Sequence, residues 1–161
     1  FSRAYAEEGM KLWASCKGCL ETEERFAQMT DDEFSTFMQA SVLAGMAIAY
    51  TGTSIPHGLS YTLTYENGVP HGKAVGVFLS GFLKKYGDST EVEYVVKQLL
   101  GFDDIDTFRD YIRTLFGKLD MSEKLWKKDR DGILANPAKL KNYPFELTAD
   151  MLDDYVRYYN A

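Results

Sequence analysis

Histidine is scarce in this chain, two residues in 161, and both copies stand in the same tripeptide: Pro56-His57-Gly58 and Pro70-His71-Gly72. A proline directly before each imidazole favours a turn or the first helical position, which puts the ring near a helix N-terminus. The partial positive charge there disfavours imidazolium, and neutral imidazole is the form that ligates a metal. The stretch between them has room for a short helix from His57 to about Tyr65, a turn at Asn67-Gly68 and a return to His71, so the two rings can converge. Two imidazoles are half a metal site, because a catalytic metal usually takes at least three protein ligands. Glu66 is the nearest carboxylate, and none stands at helical spacing from either histidine. The same residues also read as surface or core histidines satisfied by backbone groups.

Cys16 and Cys19 are the only cysteines, spaced C-x-x-C. They could be half of a zinc site or a redox pair. No second close pair of ligands accompanies them, and the preceding Ala4–Trp13 stretch has helical character with no thioredoxin-like strand. The plainer reading is two cysteines one turn apart on a helix. So few cysteines in a chain of this length indicate a reducing, cytoplasmic compartment.

The elements that must position these residues are helical nearly throughout. Thr30-Asp31-Asp32-Glu33 is a capping box, and the apolar-periodic run after it becomes apolar almost all round from Ala40 to Tyr50. That pattern predicts a central, buried helix. Further helices are expected over His71–Tyr86, Glu91–Leu100 with Ser89 or Thr90 as cap, a stretch capped by Asp103 or Asp104 and ending at Gly117, Glu123–Ala135 capped by Ser122, and Ala149–Tyr159 capped by Thr148. Asn136-Pro137 and Tyr143-Pro144 mark turns. Tyr61-Thr62-Leu63-Thr64-Tyr65 is the one β-like run, too short to make a sheet alone. The fold class is all-α, a single compact multi-helix domain over residues 1–161.

Composition narrows the function classes. At 45% hydrophobic and 26% charged, the chain has the make-up of a folded globular protein. Eighteen basic against 24 acidic residues give a net charge of −6, without the footprint of a nucleic-acid binder. No apolar run reaches the roughly 18 residues of a membrane span. Neither G-x-G-x-x-G nor G-x-x-x-x-G-K-[ST] occurs. The chain opens at Phe1, inside sequence that already reads as structured and with no basic leader ahead of an apolar stretch. It is expected to be a processed form or a piece of something longer.

Residues 41–86 resemble the iron-containing (group III) alcohol dehydrogenase family. The resemblance rests on an Ala-Ser-x-x-Ala-Gly helix (Ala40, Ser41, Ala44, Gly45), the His57-Gly58 turn and the second Pro-His-Gly fourteen residues later. The helical pattern from Glu91 to Ala161 suits the family's C-terminal, dehydroquinate synthase-like helical half, while residues 1–40 match loosely. In that family a divalent metal, iron or zinc, is held by an Asp, a His on the same helix and two later histidines. The resemblance puts the later two at His57 and His71. No D-x-x-x-H pair supplies the first two here. Many members carry a further His near the substrate, four residues after the first of this pair. That position is Tyr61 here, whose phenol relays a proton at neutral pH less readily than an imidazole.

The resemblance therefore implies the metal-binding, substrate-side domain of an NAD(P)-dependent enzyme interconverting primary alcohols and aldehydes. The nucleotide-binding domain is expected to lie outside this stretch, and this domain alone is expected to be inactive. A small alcohol or aldehyde is the expected ligand, with Tyr61 lining its cleft; no nucleic acid or membrane partner is expected. Apolar surface left bare by the missing half should favour a homo-oligomer. Two alternatives stand beside this reading. One is a non-catalytic helical interaction or scaffold module descended from the same fold; the other is a structural zinc protein using Cys16, Cys19, His57 and His71.

Overall fold

A computed structural model describes residues 1–161. Ten α-helices follow one another with no strand: α1 (Ser2–Cys16), α2 (Glu23–Ala27), α3 (Asp31–Thr51), α4 (Ile55–Asn67), α5 (His71–Lys84), α6 (Ser89–Glu93), α7 (Ile105–Phe116), α8 (Glu123–Leu134), α9 (Pro137–Leu140) and α10 (Ala149–Asn160). A 3-10 turn, Lys17–Leu20, follows α1, and a π-helical turn, Tyr94–Leu99, extends α6. The all-α, single-core architecture is the expected one.

Side-chain caps set most helix starts. Thr30 Oγ1 accepts the Glu33 N–H at 3.2 Å while Glu33 accepts the Thr30 N–H at 2.8 Å, so the capping box closes in both directions. Asp104, Ser122 and Thr148 cap α7, α8 and α10 as expected. The cap of α6 is Asp88 rather than Ser89 or Thr90, because its carboxylate accepts the Glu91 N–H at 3.0 Å. Asn136 does more than mark a turn. Its side chain accepts the N–H groups of Ala138 and Lys139, and with Pro137 in the first turn it starts the short helix α9.

The core is built on α4 and α5. Ile55, Leu59 and Leu63, four residues apart along α4, are buried against Ala74, Val77 and Phe78 of α5. Phe108 and Ile112 of α7, Ile133 of α8, and Leu152, Tyr155 and Tyr159 of α10 complete the cluster. The burial pattern shows why the β-like run Tyr61–Tyr65 is helical after all: on a strand Tyr61, Leu63 and Tyr65 would share one face, but Leu63 is buried while Tyr61 and Tyr65 are exposed. At Gly58 a Cβ would overlap the Ile133 side chain, so a glycine after His57 lets α8 approach α4 closely.

One expectation is overturned. The α3 helix is not the buried centre of the domain; it packs along α1, burying only Ala40 and Ala47. Phe34, Met38, Val42 and Tyr50 stay more than half exposed, and Met46 is 40% exposed. These five residues stand four apart and form one apolar stripe roughly 24 Å long. An all-round apolar helix shows that something can cover it, and within this chain only one face is covered.

Candidate metal and substrate site

The site is made where the chain turns back on itself. Asn67 ends α4, Gly68 takes the left-handed conformation at φ 67°, and the Val69 N–H donates to the Leu63 carbonyl at 3.2 Å. This bond caps the end of α4, and after the turn His71 at the start of α5 comes back beside Ser60 and His57 of α4. His57 lies in the first turn of α4 and His71 is the first residue of α5. Their ring centroids are 5.5 Å apart with the planes at 61°. Two imidazoles on one tetrahedral ion, each nitrogen about 2 Å from it, have ring centres roughly 5 Å apart. The observed spacing fits that arrangement.

Protonation states follow from the neighbours. Ser60 Oγ donates to the His57 carbonyl at 2.8 Å and lies 3.4 Å from His71 Nδ1. With the hydroxyl proton committed to the carbonyl, His71 Nδ1 is the donor in that contact, which leaves His71 Nε2 with its lone pair free. Burial lowers the pKa of His57, with His71 and then Lys139 pushing the same way. Half-buried His57 is thus kept neutral, as a ligand must be.

The remaining wall of the site comes from α4 and α9. Tyr61, one turn beyond His57, stacks on His71 with centroids 6.2 Å apart and planes within 10°. Lys139 of α9 reaches over the Tyr61 ring, its Nζ 5.0 Å from the centroid. The same ammonium donates to Thr53 Oγ1 at 2.7 Å and to the Tyr61 hydroxyl at 3.1 Å. Asn142, just past α9, donates to the carbonyls of Thr51 and Thr53, tying this wall to the lead into α4. Two hollows, about 370 and 340 Å³, lie elsewhere, one along α5–α7 and one by the cysteines.

The structure thus brings His57, His71 and Tyr61 together. It does not bring Glu66 to them: that carboxylate, near the far end of α4, pairs with Lys128 of α8. No three His, Cys, Asp or Glu side chains cluster in a way that could hold a metal ion, so the two histidines converge without a third such side chain. The same fact removes the four-ligand zinc alternative. Cys16 ends α1 and Cys19 sits in the 3-10 turn, not on one helix, and both thiols are free and buried. Burial pushes both thiol pKa values up, so neither is poised to react.

Lys139, Thr53 and Ser60 escape a reading of the sequence, since none belongs to a motif. The nearest signal for Lys139 is the Asn136-Pro137 helix start that sets its position. Asp129 was equally silent. It is 6% exposed on α8, accepts a hydrogen bond from Thr62 at 2.7 Å, and leaves its second oxygen without a partner.

Comparison with known proteins identifies the family. The model of the C-terminal region of the Fe-containing alcohol dehydrogenase family matches residues 21–131, a span that includes His57, Tyr61 and His71 and stops short of Lys139. A crystal structure of an iron-containing alcohol dehydrogenase is similar at a TM-score of 0.82 and 28% identity, over 98% of this chain and 42% of that one. The crystal structure of an iron-containing alcohol dehydrogenase from Thermotoga maritima is similar at 0.81 and 28% identity, over 99% of this chain and 42% of that one. This chain spans less than half the length of either. No curated protein matches the sequence. Its two converging histidines lie within the family match, and the chain belongs to the Fe-containing alcohol dehydrogenase family, corresponding to its C-terminal helical region.

Proposed function

We propose that this chain is the metal-binding, substrate-side domain of an NAD(P)-dependent dehydrogenase interconverting primary alcohols and aldehydes, and that it needs a nucleotide-binding domain to turn over. The supporting observation is the 5.5 Å approach of His57 and His71 with no third ligand beside them. That is half of the donor set the family resemblance calls for, and the shared length of 42% with longer relatives suits a division of the site between domains. His57 and His71 would hold the ion. An iron or zinc ion there supplies Lewis-acid polarisation of an alcohol or carbonyl oxygen. Ser60 orients the His71 ring, and Tyr61 covers that ring and lines the cleft from which a small substrate approaches. The apolar stripe of α3 is the surface on which the rest of the parent would seat, and in its absence a second copy of this chain would cover it. No helix is long and apolar enough to cross a membrane, and the free thiols suit the reducing cytoplasm.

The test is to incubate the purified chain with Fe²⁺ or Zn²⁺, NAD⁺ or NADP⁺ and short primary alcohols, and to measure metal retained by equilibrium dialysis alongside reduced cofactor. Metal retention without turnover is the expected result. Turnover by the chain alone contradicts the division of the site, and failure to retain metal contradicts the role given to the histidines. The second reading, a non-catalytic interaction module, is favoured by the bare stripe on α3. A gene product of this length that retains no metal would support it.

A further inference from the structure

The proposed dehydrogenase reading leaves the substrate class open, and the wall opposite the histidines narrows it. Lys139 has no carboxylate partner: it takes part in none of the ion pairs of this acidic chain. Its ammonium has three N–H donors, of which two are directed at the neutral oxygens of Thr53 and Tyr61. The third is unassigned. Thr53 Oγ1 and Tyr61 Oη accept from Lys139 and make no other hydrogen bond, so both of their own protons remain to be donated. Three donors, one of them charged, therefore converge with no acceptor among them. The neighbouring imidazoles add no negative charge, and no acidic residue contributes to the electrostatics of His57. A group of this kind is matched by an anion with two oxygens, since a carboxylate can accept from all three donors at once.

We propose that Lys139, with Tyr61 and Thr53, is a carboxylate-binding wall, and that the site takes alcohols or aldehydes bearing a carboxylate on the same short chain. The inference rests on the alcohol–aldehyde reading for the identity of the reacting end, and on this chain's own donors for the anionic end. The carboxylate sits on the Lys139–Tyr61–Thr53 wall, and the hydroxyl or carbonyl end lies toward His57 and His71. The stacking of Tyr61 on His71 joins the two subsites through one side chain.

The experiment is a chemical-shift titration of this chain with 3-hydroxypropionate and, separately, with neutral 1,3-propanediol, at constant ionic strength and with or without Zn²⁺. The hydroxy acid should bind at least ten-fold more tightly than the diol, with the largest shifts at Thr53, Tyr61 and Lys139. Lys139→Gln should bring the two ligands to parity, whereas Lys139→Arg should keep most of the preference and Thr53→Val should lower it in part. A Lys139 that only braces α9 against α4 predicts a different pattern, in which Thr53→Val and Lys139→Gln lower thermal stability alike and neither changes ligand preference. Parity in the unaltered chain, or a preference that survives in Lys139→Gln, overturns the proposal, as does inorganic phosphate binding more tightly than the hydroxy acid. Zn²⁺ binding separates the two levels. If Zn²⁺ binds and the ligands are at parity, the carboxylate wall fails alone. If the preference is present and Zn²⁺ does not bind, the wall stands and the dehydrogenase reading fails.

Discussion

Tyr61 lies flat against His71, with ring planes within 10° and centroids 6.2 Å apart, although the two residues belong to different helices. The contact exists because the turn after α4 brings the start of α5 back beside Ser60 and His57 of α4. The Tyr61 ring thus lies parallel beside the exposed His71, and Ser60 Oγ lies 3.4 Å from its Nδ1. A ring held in place by such neighbours loses less freedom on binding an ion, and groups that orient a ligand in this way strengthen metal binding.

Tyr61→Ala should therefore weaken Zn²⁺ binding several-fold by freeing the His71 ring. Tyr61→Phe keeps the stack and should leave the affinity within about two-fold. Calorimetric titration of the two variants checks this, and equal losses would mean that the hydroxyl, not the stack, supports the histidine.

Asp129 gives a pH dependence with a definite sign. Burial outweighs the Thr62 hydrogen bond and raises its carboxyl to about 6 from an ordinary 3.8. The folded state thus holds this proton more tightly than the unfolded chain. The charged carboxylate costs stability above pH 6, and the cost falls away as the pH drops from about 6 toward 4. The difference is roughly 2–3 kcal/mol. Asp129→Asn should raise the urea midpoint at pH 8 and flatten this part of the stability profile. A lower midpoint at pH 8 would show that the ionised carboxylate is favourable where it lies.

The stripe Phe34, Met38, Val42, Met46 and Tyr50 predicts association. Sedimentation velocity at rising concentration should show dimers or larger species, and Val42→Lys with Met46→Lys should return the chain to a monomer with its helical circular dichroism unchanged. A monomer at every concentration in the unaltered chain contradicts the prediction.

Close packing beside the site makes a fourth prediction. Gly58→Ala would drive a methyl into the Ile133 side chain and should cost about 1–3 kcal/mol, measured by denaturant unfolding. Thr30→Ala, far from the site, should cost about 1 kcal/mol through the lost cap. A neutral Gly58→Ala would show that α8 can shift away from α4.

Features decided by local chemistry were legible in the sequence. Thr30, Asp104, Ser122 and Thr148 announce helix starts because their side chains bond to backbone only two or three residues on, and the repeated Pro-His-Gly drew attention to the pair that converges. Features decided by distant partners were not. An all-round apolar α3 says that a cover is wanted, but the pattern holds no information on whether the same chain supplies it. Tyr61–Tyr65 alternates like a strand, yet of Tyr61, Leu63 and Tyr65, which would share a strand face, Leu63 alone is buried, and tertiary burial prevails over a short local pattern. Lys139 stands 78 residues from Tyr61, and no spacing rule links a lysine in a four-residue helix to a phenol that far away. Asp129 is one of several charges along α8, nothing in its local pattern sets it apart, and the packing of α8 on α4 buries it.

The central claim is that His57 and His71 act together on one ion. It is tested most directly by following the imidazole ¹⁵N resonances of both residues during a Zn²⁺ titration near pH 7.5. The account predicts that both rings shift together and saturate at one equivalent, and that His71→Ala removes the response of His57. Independent responses of the two rings, or a His57 shift that survives in His71→Ala, would contradict it.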